Sequence, residues 1–192
     1  MTSTKSLILA VLGAAALGAA PASADPAPDL QVMQPVDSDA YYTYSTYGAG
    51  GWQFVTPDGV RCRIMTITRW GSASQATCWG EKLPGVDRNI NYAKAKGAYV
   101  DDPPQSAFGD GDLDNFETYR SYEHRSSEEV DHVDPASYHL LPAGKKLTAA
   151  GTGTTVTCGV ITADSVSCTV EATGAPVWTT GFVLSPEGSR TF

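Results

Sequence analysis

Three clusters of residues in this chain have the types and spacing to do chemistry. The first is Asp110, Asp112 and Asp114, which place carboxylates at alternate positions of a short run ending in Asn115. Alternating carboxylates can converge on a hard cation, as at positions one, three and five of a helix–loop–helix calcium site, so calcium is the one cofactor the sequence suggests. The run departs from that loop twice. Position six is Asn115 where glycine is expected, and position twelve is Ser121 where a bidentate glutamate belongs. A solvated acidic loop is the competing reading, and it takes precedence.

The second cluster is His124, Glu128 and His132, four residues apart, which would share one face if that stretch were helical. Two histidines and a carboxylate can bind zinc. Arg125, Ser126, Ser127 and Pro135 argue against the helix, and surface histidines in an acidic loop are the simpler reading. The third cluster is aromatic. Tyr41, Tyr42, Tyr44 and Tyr47 lead into a glycine run and Trp52. Of these, Tyr42, Tyr44 and Trp52 form a candidate sugar-stacking platform, although a β-sandwich core also needs large aromatics.

Other chemistries lack their signatures. No GxSxG elbow supports a nucleophilic serine. The Gly151-Thr152-Gly153 run has neither the third glycine nor the following helix that hold phosphate. Catalytic residues are therefore assigned to none of the side chains. The four cysteines, Cys62, Cys78, Cys158 and Cys168, contain no CxxC pair and are expected as disulfides.

Those groups need a scaffold, and the ends of the chain say where it works. Lys5, the apolar run Leu7–Ala20 and the small-x-small pattern Ala22-Ser23-Ala24 read as a signal peptide over 1–24, cleaved between Ala24 and Asp25. The run is too short and too rich in Ala and Gly for a good membrane span, so the mature protein is expected to be secreted, with no stable membrane insertion. An even cysteine count suits an oxidising compartment. Cleavage removes one base and no acid, taking the formal charge from −8 to −9. Segment 101–134 holds eleven acids against Arg120 and Arg125. With no basic stripe for phosphates, nucleic acid is not an expected partner.

The remaining chain reads as a disordered leader over 25–40, with three prolines and no periodicity, followed by a single β-domain over 41–192 carrying an acidic insertion at 101–134. Two turns of the form [ST]-P-[DE]-G, Thr56–Gly59 and Ser185–Gly188, have the chemistry of a type I turn with a glycine bulge. They predict strands at about 51–56 and 60–67, and at about 178–184 and 189–192. Pairing Cys158 with Cys168 puts Val160 opposite Val166 and Val156 opposite Val170. One face is then apolar, and the other carries Thr155, Thr157, Ser165, Ser167, Thr169 and Glu171. The same logic, less cleanly, pairs Cys62 with Cys78. Between the two cysteine hairpins, 91–100 suggests a short helix broken by Gly97. The stretch 112–123 suggests either a helix capped by Asp112 or a strand. The fold class is all-β, an antiparallel β-sandwich or partly open barrel with two local disulfides.

The stretches GWQFVTPDGVRC (51–62), CWG (78–80) and LPG (83–85), with CGV (158–160), GFVLSPEGS (181–189) and the ASADP junction (22–26), resemble a loose group of small secreted proteins of mycobacteria and related actinobacteria. These motifs are turns and cysteines, so the resemblance implies a scaffold and an extracellular address, and carries over no activity or site. The functional expectation is a secreted, non-enzymatic binding domain that meets cell-envelope or host-surface components through its loops. The competing expectation is an exported hydrolase acting on envelope glycan or peptide. It requires a cleft where two carboxylates, or His139 and a carboxylate, converge.

Overall fold

The computed structural model describes residues 27–46, 49–68, 73–98, 103–124, 127–174 and 176–192. The expected signal peptide lies outside them. In chain order the strands are β1 (Gln34–Pro35), β2 (Tyr42–Thr46), β3 (Ala49–Val55), β4 (Arg61–Ile67), β5 (Ala73–Trp79), β6 (Tyr92–Ala98) and β7 (Gln105–Gly109). After a one-turn helix α1 (Leu113–Phe116) come β8 (Thr118–His124), β9 (Ser127–His132), β10 (His139–Leu140), β11 (Lys145–Gly151), β12 (Thr154–Thr162), β13 (Ser165–Ala172), β14 (Thr179–Leu184) and β15 (Arg190–Thr191).

They form two facing sheets, as expected for a sandwich. The first runs β10-β3-β4-β5-β6-β7, with β2 also on β3, and the second runs β1-β11-β12-β13-β14-β15. A separate hairpin, β8–β9, pairs with neither sheet. Nearly all pairings are antiparallel. The exceptions are the two edge strands β1 and β10, which pair in parallel with β11 and β3. Each half of the chain thus receives one edge strand from outside itself.

Both Pro-Gly turns form where the sequence puts them. Gly59 N–H donates to Thr56 O at 2.9 Å, and Gly188 N–H to Ser185 O at 3.0 Å, with φ of +91° and +139° at the glycines. The positive φ explains why glycine ends both motifs. The β12–β13 register is also as derived, with Val156, Cys158 and Val160 opposite Val170, Cys168 and Val166. These six residues are buried against Phe54, Ile64, Ala76, Ala93 and Ala95 of the other sheet. Cys62–Cys78 and Cys158–Cys168 are the two disulfides, each joining directly opposite residues of neighbouring strands. In the chain-entropy view each contributes about 3 kcal/mol.

Three expectations are corrected, all of them outside the β12–β13 pairing. The polar face of that hairpin is itself covered: Thr157, Ser167 and Thr169 are buried. Their short side chains bond within the sheet, as Ser167 Oγ does to Phe182 O at 3.0 Å. Part of that face is covered by the segment read as a disordered leader. Leu30 is buried, β1 pairs with β11, and Leu30 and Met33 sit where a side chain at Gly159 would be. The prolines there punctuate a docked strap whose apolar residues find a partner on the sheet.

The suggested helix at 91–100 is, over its described residues, strand β6. Its Ala and Lys residues favour helices locally. They also alternate with period two, and the sandwich needs Ala93, Ala95 and Gly97 on its inner face. A Cβ on Gly97 would lie 1.9 Å from the Trp178 ring, so only glycine admits that contact. Finally, 101–134 is not wholly an insertion, because β7 completes the first sheet beside β6. Both readings of 112–123 hold in part: Asp112 caps α1 through Asp114 N at 3.1 Å, and β8 follows.

Candidate functional site

The sequence-nominated residues scatter. Asp110, Asp112 and Asp114 are exposed, and Asp112 is used as the helix cap. The loop they occupy is held by Asn91, whose side chain donates to Gly111 O at 2.8 Å and accepts from Gly111 N at 3.0 Å. Among the described residues, no group of three His, Cys, Asp or Glu side chains is placed to hold a metal ion. His124 and His132 stand on strands, not on a helix. Thr118 pairs with His132 and His124 with Ser127, so the two histidines occupy opposite ends of the β8–β9 hairpin, roughly 20 Å apart along it.

The aromatic trio divides. Tyr42 pairs with Trp52 and Tyr44 with Gly51, a register shift that turns the two tyrosines to opposite faces of the sheet. Tyr42 and Trp52 stay together, with ring centroids 5.1 Å apart. Tyr44 is buried on the outer face and stacks on Tyr119 of β8 at 4.2 Å.

That outer face holds a polar cluster that sequence reasoning missed. Arg61 and Arg63 of β4, Trp79 of β5, and Gln53 of β3 point outward, because their neighbours Cys62, Cys78 and Phe54 point inward. Over them lie Glu117, following α1, and Tyr138, just before β10. The buried Glu117 carboxylate accepts from Trp79 Nε1 at 2.9 Å, forms an ion pair with Arg61 Nη1 at 2.7 Å, and accepts from the Tyr138 hydroxyl. Arg63 donates to Thr118 O at 2.8 Å and to Phe116 O, with its guanidinium carbon 5.6 Å from the ring centres of both Tyr44 and Trp79. With its amide oxygen toward Arg63, Gln53 accepts from Nε at 3.1 Å and Nη2 at 2.9 Å, and its nitrogen donates to Thr43 Oγ1 at 3.1 Å.

Burial first, then the hydrogen bond and charge of Glu117, push the Tyr138 hydroxyl well above its ordinary pKa, while Arg63 opposes the shift. Burial likewise raises Tyr44, again opposed by Arg63. Every charge here has a protein partner. The cluster therefore acts as a clamp fastening α1 and the β8–β9 hairpin, an acidic lobe, to the sheet. Its members are far apart in sequence and carry no local motif.

Two concavities among the described residues bear on function. The larger encloses about 930 Å³ at the end of the sandwich where both Pro-Gly turns meet the loop 80–91. Asp58 and Pro186 come from the turns, and Glu81, Lys82, Asp87 and Arg88 from the loop, over an apolar base that includes Val86 and Ile90. The loop is braced. Leu83 is buried, Ser189 Oγ donates to Pro84 O at 2.6 Å, and Ile90 N donates to Asp87 O at 3.0 Å. Gly85 adopts φ +62°, and a Cβ there would come within 1.9 Å of Ser185 O. The second turn motif thus packs directly on the loop at this one glycine. The smaller concavity, about 220 Å³, is lined by Tyr41, Tyr42, Thr43, Gln53, Ser137 and His139, with Ala40 at its rim. Its lining holds His139 and no carboxylate, so the pairing required of a hydrolase there is not formed by these residues.

The sequence matches no family model, no curated protein and no solved structure. Among the described residues no helix is long and apolar enough to cross a membrane.

Proposed function

We propose that this chain is an exported, non-enzymatic binding domain that engages a cell-envelope or extracellular component through the cleft at the turn end of its sandwich. The observation that carries the reading is the cleft itself: loops placed on a rigid sheet scaffold, with cations, carboxylates and apolar surface facing one space. Binding sites concentrate on such loops because the scaffold has already restricted them before the ligand arrives. Both signs of charge beside apolar walls suit a zwitterionic, peptide-like ligand. Two buried disulfides suit an oxidising, extracellular address.

The test is co-sedimentation of the mature protein, residues 25–192, with purified actinobacterial cell-wall material. Saturable retention is expected, weakened at least about ten-fold in the double variant Lys82→Glu, Arg88→Glu with an unchanged melting temperature. No retention, or retention indifferent to both substitutions, overturns the assignment. A second reading, an exported hydrolase, is favoured by Asp58, Glu81 and Asp87 lining the same cleft. It predicts release of soluble fragments from that material, abolished by Glu81→Gln or Asp87→Asn.

A further inference from the structure

The smaller pocket has an origin in the sheet edge. Strand β3 is flanked on one side by two short strands in succession. β2 covers Ala49 to Trp52, and β10 covers Phe54 and Val55. The break between them falls opposite Gln53, the one residue of β3 that neither strand pairs. The pocket opens there, with Tyr42 from the end of β2 on one side and His139 from the start of β10 on the other.

We propose that this strand break is a binding subsite for a single neutral sugar ring, separate from the charged cleft and independent of the reading given above for it. Three properties select the ligand class. The walls are aromatic: Tyr41, Tyr42 and His139 line the space, and Trp52 braces Tyr42 edge-on at 5.1 Å. Aromatic faces bind the apolar C–H face of a pyranose, and a braced ring loses little entropy on binding.

The polar groups carry no fixed charge of either sign, on a chain whose formal charge is −8. The floor is strand β3 at Gln53, whose side chain turns to the outer face, away from Tyr42. The clamp holds it there at 1% exposure, so the base of the pocket is preorganised. Tyr42, 46% exposed, and His139, exposed, are not hydrogen-bonded through their side chains to any described residue, which leaves their polar atoms for sugar hydroxyls. The volume, about 220 Å³, equals roughly seven waters. That admits one pyranose and excludes a disaccharide from full enclosure, so a longer glycan would be held at one residue.

Amide chemical shifts of the mature protein, followed by NMR during titration with neutral methyl pyranosides of gluco, manno, galacto and N-acetylglucosamine configuration, test the assignment. At least one should move the amides of Tyr42, Thr43, Gln53 and His139 with saturable dependence. Tyr42→Ala should weaken it about ten-fold, and His139→Ala should weaken it with the melting temperature unchanged. The cleft variant Lys82→Glu, Arg88→Glu should bind the same sugar as wild type, which separates failure here from failure at the cleft. No shift with any pyranoside, shifts that persist in Tyr42→Ala, or tighter binding of a methyl uronate than of its neutral counterpart would each overturn it.

Discussion

The sulfur atoms of Cys78 and Cys168 lie 3.9 Å apart across the two sheets, although each is bonded to a different partner. The two disulfides therefore meet at the centre of the core, where all four cysteines are fully buried. Each staples its own hairpin, and together they mark the plane where the halves of the chain pack.

This proximity predicts a thiol–disulfide exchange. In Cys62→Ser, the freed Cys78 thiolate is placed to attack Cys168 Sγ. A Cys78–Cys168 bond would form, the Cys158–Cys168 bond would break, and Cys158 would leave as the thiolate. Peptide mapping of the alkylated variant should recover a Cys78–Cys168 peptide and label on Cys158. Recovery of an intact Cys158–Cys168 peptide with all label on Cys78 would refute the exchange. The double variant Cys62→Ala, Cys78→Ala should keep Cys158–Cys168 and lose about 3 kcal/mol of stability.

Glu117 is the keystone of the clamp beneath the acidic lobe. Replacing it with Ala leaves the Trp79 indole N–H and the Arg61 guanidinium without their acceptor in a buried setting. A loss of about 3 kcal/mol is expected, within the range for breaking one partner of a buried pair. Glu117→Gln keeps an acceptor for Trp79 and should cost less. Urea denaturation gives the magnitudes, and near-UV circular dichroism should report the disturbed packing of Trp79 in both. Equal stability of wild type and Glu117→Ala would show that the lobe is held by other contacts.

Alkaline pH should destabilise the fold through its buried tyrosines. Tyr41, Tyr44 and Tyr138 all have their hydroxyls raised above the ordinary value of 10.0, in each case chiefly by burial. The folded state holds these protons after the unfolded chain has released them. Their contribution is therefore complete below pH 10 and falls as pH rises from there through the folded values. Lys94 acts in the opposite sense, since burial and then Lys96 lower it from 10.5. Three tyrosines outweigh one lysine, and the net is a fall. Melting temperature should decline above pH 10, and Tyr138→Phe should make the decline shallower. An absorbance titration at tyrosinate wavelengths should resolve a late-ionising class that merges with the others on unfolding.

Legibility in the sequence followed the range of the interaction. The β12–β13 register could be derived because strict alternation and a cysteine pair act within one hairpin, where a slip of one residue would turn every valine outward. The Pro-Gly turns could be placed because glycine and proline act on their own backbone dihedrals. By contrast, β6 suggested a helix because Ala and Lys favour one locally. What made it a strand was the need for small residues under Trp178. The trio Tyr42, Tyr44 and Trp52 looked like one platform. A bulge whose only sign is the pairing register sent Tyr44 to the other face.

The amino-acid order alone settled the elements held by neighbours: two cysteine hairpins, two Pro-Gly reversals and the all-β class. Only the folded chain decided which elements trade edges, with β1 crossing to β11 and β10 to β3. Those two crossings dock the strap that covers Gly159 and open the pocket at Gln53. The clamp around Glu117 was decided at the same level. Contacts of this kind join residues tens of positions apart, so their energy comes from burial and hydrogen bonding that exist only once both sheets are in place, and no local pattern records it.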